Sequence, residues 1–276
     1  MPTRSRRLSL FQALSTALLL ALSCILPSAP HAVHTAQAAQ EARAAQDPVE
    51  LHMYAGAGLR VPAEAVISRF EQRTGARVVV EYGGMGQLLT RFNATGTGDV
   101  ILSGGEQYVR ELATAGKISS EHKLVLHTPV MAVRKDKAAG IATLADLAAS
   151  NLRIAMGDPQ AIALGKSGEK LLDASGHGEA LRGKVTVRGT TIKQVLLYLT
   201  NGDVDAAVIG RSDAVANAAS LVILPTPQGT PREVGVVAAL STSTHPELAE
   251  QLAAFFAEPE SIKVFVDHGF LPLPAK

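Results

Sequence analysis

Short Val-rich runs alternate with amphipathic stretches along most of this chain, and the alternation breaks twice, at 122–135 and 221–241, where a long extended run carries proline. Before the first break come "VELHMY", "ARVVVEY" and "DVILS", each followed by a segment of helical character. In "VPAEAVISRFEQRTG" the residues Val61, Ala65, Val66 and Phe70 fall at helical spacing, and Gly75 is placed to stop the helix. After "HKLVLHTPVMAVRK" the rhythm restarts, and after "LVILPTPQGTPREVGVVAALS" two helices, "HPELAEQLAAFFAEP" and "PESIKVFVDHG", end the pattern. Strands separated by helices need crossover connections, so the pattern predicts an α/β fold with mixed, mostly parallel sheets covered on both faces. The two breaks read as crossings between lobes. The expected organisation is lobe 1 over 49–128, lobe 2 over 129–224, and a return through 225–276 that completes lobe 1. A hinged cleft between two such lobes collects strand C-terminal ends and helix N-termini, where ligands bind in open α/β sheets.

The first 38 residues differ in kind. Arg4, Arg6 and Arg7 precede the apolar run "LSTALLLALSCILP", and small residues follow, as in a secretory signal peptide. "AQA" ending at Ala38 is the expected cleavage site, with "PHA" ending at Ala32 as competitor. Residues 39–48 read as a flexible leader. Cys24, the only cysteine, would leave with the signal or carry a lipid anchor, the less favoured alternative because the leucine expected three positions before it is missing. The mature domain then has neither disulfides nor thiol chemistry, and the expected location is the periplasm. Loss of three arginines leaves a nearly neutral protein, which argues against bulk electrostatic attraction to nucleic acid or membrane. With no Trp and 4% aromatics, stacking platforms for sugars or single strands are disfavoured.

Two turns carry the chemistry. "YAGAGLR" (54–60) and "YGGMGQ" (82–87) each join a strand to a helix, presenting free backbone N–H groups and a helix dipole at one end of the sheet. Glycine lets a ligand approach the main chain, and a helix N-terminus accepts an anion. Ala57, Gly58, Gly84, Met85 and Gly86 are therefore candidate ligand-binding positions. Arg60 and Arg211, each near the start of an expected helix in a different lobe, could clamp an anion from two sides. Neither glycine turn completes a dinucleotide fingerprint, and "GKS" at 165–167 lacks the first P-loop glycine. HExxH, GxSxG and a convincing carboxylate pair are absent, so no catalytic residues and no cofactor are assigned. His52, Met53, His122, His127 and Met131 fall on expected strands, where packing is favoured over a metal site.

The stretches "YGGMGQLL", "GDVILSGGEQYV", "GDPQAIALGKSGEKLL" and "TIKQVLLYLTNGDVDAAVIGRSDA" give the chain, from about 50 to 270, a specific resemblance. It resembles the periplasmic molybdate- and tungstate-binding proteins of ATP-binding-cassette importers, within the type II periplasmic-binding-protein superfamily. The resemblance implies a monomeric receptor that closes two lobes on a small anionic ligand and docks on a membrane permease. It places the family's two ligand-binding serines at Gly58 and Met85, its main-chain donors at Leu164 and Ile192, and its tyrosine at Gly210. All three hydroxyls are absent, and each lost hydrogen bond to a charged ligand costs about 1.5–3 kcal/mol. Two compensations are open: Arg60 and Arg211 supply donors, or Gly58 and Gly210 enlarge the pocket and Met85 lines it for a larger ligand with one anionic end. Beside the oxyanion reading stand a different anion, a periplasmic sensor, and a metal-binding protein using Met and His.

Overall fold

The computed structural model describes residues 48–274, so the signal-like head, Cys24 and all of the leader but Pro48 lie outside the described residues. Strand β1 (Glu50–Gly56) runs through a single 3-10 turn (Ala57–Leu59) into α1 (Arg60–Thr74). The unit recurs as β2 (Arg77–Gly83) with α2 (Met85–Thr95), and β3 (Val100–Ser103) with α3 (Glu106–Thr114). Gly75 ends α1 as its sequence position suggests: at φ 73° it takes the left-handed conformation that glycine adopts without strain, and its N–H donates to Glu71 O at 2.8 Å.

The first extended run divides into two strands belonging to different sheets, β4 (Ile118–His127) and β5 (Pro129–Arg134), so the chain changes lobe across Thr128. The second lobe continues with α4 (Leu144–Ala149), β6 (Ile154–Gly157), α5 (Ala163–Ala174), α6 (Gly178–Arg182), β7 (Val185–Gly189), α7 (Ile192–Asn201), β8 (Ala206–Gly210), α8 (Arg211–Ala216) and β9 (Leu221–Ile223). The chain returns to the first sheet as β10 (Glu233–Leu240), followed by α9 (Pro246–Phe256), α10 (Pro259–Asp267) and β11 (Leu271–Pro272).

The sheets have strand orders β11-β4-β10-β3-β1-β2 and β7-β6-β8-β5-β9. Strands tied by crossover helices are parallel, β1 to β2 and β3, and β6 to β7 and β8. The strands that carry the chain between lobes run antiparallel: β10 lies between β3 and β4, and β5 between β8 and β9. Both sheets are covered on both faces, and β1 displays the reason. Leu51, Met53 and Ala55 enter one core with Phe70, Phe256 and Phe265, while Tyr54 enters the opposite core with Phe92 and Ile101. In β5, Val130 and Ala132 pack on one side, Met131 and Val133 on the other. A period of two on a strand with no polar face demands two apolar layers. The result is a two-lobed α/β architecture.

Candidate functional site

The C-terminal ends of β1, β2, β3 and β4 in one lobe meet the starts of α5 and α7 in the other, around a small cavity of about 30 Å³. That is room for about two water molecules. Its lining is largely apolar and includes Ala57, Gly58, Met85, Leu164 and Ile192 together with Gly104 and His127; no Arg, Lys, Asp or Glu lines it. The polarity comes from the main chain. Helices α2 and α5 begin after Gly84 and Ile162, and neither of these residues caps its helix with a side chain. Met85, Leu164 and Ile192 stand in the first turn of α2, α5 and α7, where no intrahelical acceptor exists, and their N–H groups have no other backbone acceptor among the described residues.

Two glycines of the Tyr82–Gln87 turn, Gly84 and Gly86, face the other lobe directly, whereas Gly83 packs on Leu88 of its own lobe. The Gly86 N–H donates to Ala161 O across the cleft at 3.0 Å. A Cβ on Gly84 would lie 2.2 Å from Thr190 O, and one on Gly86 would lie 3.1 Å from Gln160 O. These positions are bare because the backbone of lobe 2 occupies the volume that a side chain would fill.

His127 closes the cavity from the end of β4. The edge of its ring, from Nδ1 through Cε1 to Nε2, passes Gly104, Gly58 and Gly210: Cβ atoms there would lie 2.6 Å from Nδ1, 3.3 Å from Cε1 and 3.0 Å from Nε2, respectively. Phe270 packs against the ring in a tilted arrangement at 5.3 Å between centroids. The residue is 5% exposed, and neither ring nitrogen has a hydrogen-bond partner. Burial pushes the pKa down to about 4; the charge of Lys193 acts in the same direction, and the Gly104 backbone, close to the ring but outside hydrogen-bonding geometry, opposes both. Lys193 is itself paired with Asp213, whose carboxyl is raised by burial.

Residues 51–271 match the family described as bacterial extracellular solute-binding protein. The chain belongs to this family. A binding protein of Haemophilus influenzae, whose name leaves its ligand open, is 48% identical over 223 residues, covering 81% of this chain and 91% of the relative. The solved periplasmic molybdate-binding protein of Azotobacter vinelandii superposes with a TM-score of 0.70 at 18% identity, covering 82% of this chain and all of that one. The sulfate-binding protein SubI of Mycobacterium tuberculosis gives 0.71 at 19%, covering 82% and 87%. At such identities the likeness is one of fold. The family's members bind solutes, in keeping with the lack of catalytic motifs in the sequence.

In this solute-binding protein the arginine clamp is not formed. Arg60 lies over the Tyr82 ring at 4.3 Å and pairs with Glu64 at 3.6 Å, on a solvent-exposed face of α1. The Arg211 Nη1 donates to Gly269 O at 2.7 Å, tying the start of α8 to the turn before β11. Neither lines the cavity. The alternative of an enlarged pocket also gives way, because the room beside Gly58 is filled by Ile192 and the His127 imidazole, and that beside Gly210 by the imidazole. Among the metal candidates, Met53 and Met131 are core residues and His52 is remote from the cavity lining; no cluster of three or more His, Cys, Asp or Glu forms among the described residues. His127, read from sequence as a packing residue, is the ionisable side chain that the cavity does contain.

Proposed function

We propose that this protein captures a compact oxyanion of the molybdate or tungstate class in its interlobe cleft and delivers it to an ATP-binding-cassette permease in the inner membrane, acting as a monomer in the periplasm. The observation that carries this reading is the convergence of the uncapped starts of α2 and α5 with that of α7 on a cavity without fixed charge. Unpaired N–H groups at helix N-termini stabilise an anion through the helix dipole and through directed hydrogen bonds. Met85, Leu164 and Ile192 are the main-chain donors in this reading. Ala57 and Gly58 form the walls, Gly210 backs the His127 ring from the second lobe, and Gly84 and Gly86 form the closing face. The small cavity, with room for about two waters, would have to widen even for a tetrahedral anion and disfavours an organic acid with an extended carbon skeleton still more.

A thermal-shift screen of molybdate, tungstate, sulfate, phosphate and small carboxylates tests the proposal. A ligand at about 100 times its Kd adds about 2.7 kcal/mol, or about 5–10 °C in Tm for a domain of this size. Absence of a shift with both molybdate and tungstate at millimolar concentration would remove them as ligands and leave the fold untouched. A second reading has one observation in its favour: Met85 and His127 share the cavity, and a thioether beside an imidazole suits a soft metal ion. A copper arm in the same screen distinguishes the two.

A further inference from the structure

We propose that His127 is the ligand-selecting side chain of this cleft: its neutral imidazole donates a hydrogen bond to an oxygen of the bound anion, in place of the hydroxyls absent at Gly58 and Gly210. This rests on the anion-binding reading above and adds to it the residue that discriminates among anions.

Three independent observations converge on it. The first is the orphaned ring. Buried polar groups almost always find partners, and an unpaired one costs about as much as a lost hydrogen bond, yet neither nitrogen of this deeply buried ring has a partner in good geometry, the Gly104 backbone beside Nδ1 being the nearest polar group. A histidine serving only as core filling would be expected to pair at least one of them. The second is the space made for it. Gly58 and Gly104 come from lobe 1 and Gly210 from lobe 2, and a Cβ on any of them would crowd the ring, although at Gly58 the Ile192 side chain stands closer still, at 2.8 Å. Cavities in protein interiors are filled tightly, so glycine at all three positions and histidine at the fourth form one matched set. The third is location. His127 is the last residue of β4, with the change of lobe immediately after it, and its ring lines the cavity beside Gly58 and Gly104 while Phe270 fixes its plane.

Chemistry sets the ligand class. A neutral imidazole offers one donor and one acceptor nitrogen. Lys193, the nearby cation, is already neutralised by Asp213. The cleft therefore meets an anion with dipoles, and a single imidazole lies against Gly58 and Gly210, two positions that carry no side chain. Such a site suits a fully deprotonated tetrahedral oxyanion, whose oxygens accept only.

Calorimetry with molybdate, tungstate, sulfate and phosphate on the wild type, His127→Ala and His127→Gln tests the assignment. The alanine variant is expected to bind the preferred anion about 10- to 100-fold more weakly, with glutamine, which keeps a donor, recovering part of the loss. Because either variant could fold poorly, ¹⁵N-histidine spectra of the wild type provide a second readout: the ring resonances of one histidine, His127, should move on saturation with the anion. Alanine-variant affinity within twofold of the wild type, or ring resonances that do not move, overturns the role of His127 while the anion-binding function stands. A wild type that binds none of these anions overturns that function and this assignment with it.

Discussion

Gly84→Ala is expected to weaken anion binding by tenfold or more while leaving the Tm of the ligand-free protein within about 2 °C of the wild type. The added Cβ would sit 2.2 Å from Thr190 O, 3.3 Å from Ile162 Cγ2 and 3.4 Å from Ala161 O, all in the other lobe. The closest obstacle is backbone and cannot rotate away. Gly84 itself has φ −72° and ψ 132°, an extended conformation that alanine adopts without strain. The substitution therefore costs nothing within lobe 1 and acts on the approach of lobe 2. If binding requires the closed form, apparent affinity falls in proportion to the fraction of molecules able to close, each tenfold loss corresponding to about 1.4 kcal/mol. Gly86→Ala, whose Cβ would meet Gln160 O at 3.1 Å, should give a smaller effect of the same kind. Calorimetry reads the affinity, and small-angle scattering with and without molybdate or tungstate reads the closure. A Gly84→Ala protein that binds and compacts like the wild type would mean that this face is not brought together during binding.

The strand and helix rhythm was legible because it depends on neighbours in sequence: Phe70 lies four residues after Val66, and both must face the sheet. The glycine turn at 82–87 was legible as a special turn, but its reason was only half apparent. Its helix start does present a free Met85 N–H, as an anion site requires, whereas Gly84 and Gly86 are bare for the sake of a backbone more than seventy residues away. The arginine clamp failed on a matter of rotation. Arg60 stands at the start of α1, near the cavity in sequence, but the direction of its side chain is set by the Tyr82 ring and Glu64. His127 was least accessible of all. Its significance lies in the absence of side chains at Gly58, Gly104 and Gly210, three positions that one sequence gives no means of placing around a single imidazole.

The same burial gives His127 a signature in stability against pH. Its pKa falls from the ordinary 6.5 to about 4 in the folded protein. Above pH 6.5 the ring is neutral in both folded and unfolded chains and costs nothing. As pH falls from 6.5 towards 4, the unfolded chain takes up a proton that the folded one does not, so stability declines across this window and levels off below it. At 1.36 kcal/mol per unit the full loss is about 3 kcal/mol. The wild-type profile alone cannot isolate this contribution, because Asp213 and Glu233, both raised by burial, oppose it by gaining stability as pH falls. His127→Gln has no ring to titrate, so urea unfolding of the two proteins should give a stability difference that shifts by about 3 kcal/mol in favour of glutamine between pH 7.5 and pH 4. A difference independent of pH would mean that the imidazole is protonated with equal ease in the folded chain, which a ring without partners in an apolar cavity does not allow. A bound anion acts in the opposite direction: it favours the protonated ring, raises its pKa, and so narrows the window over which stability is lost.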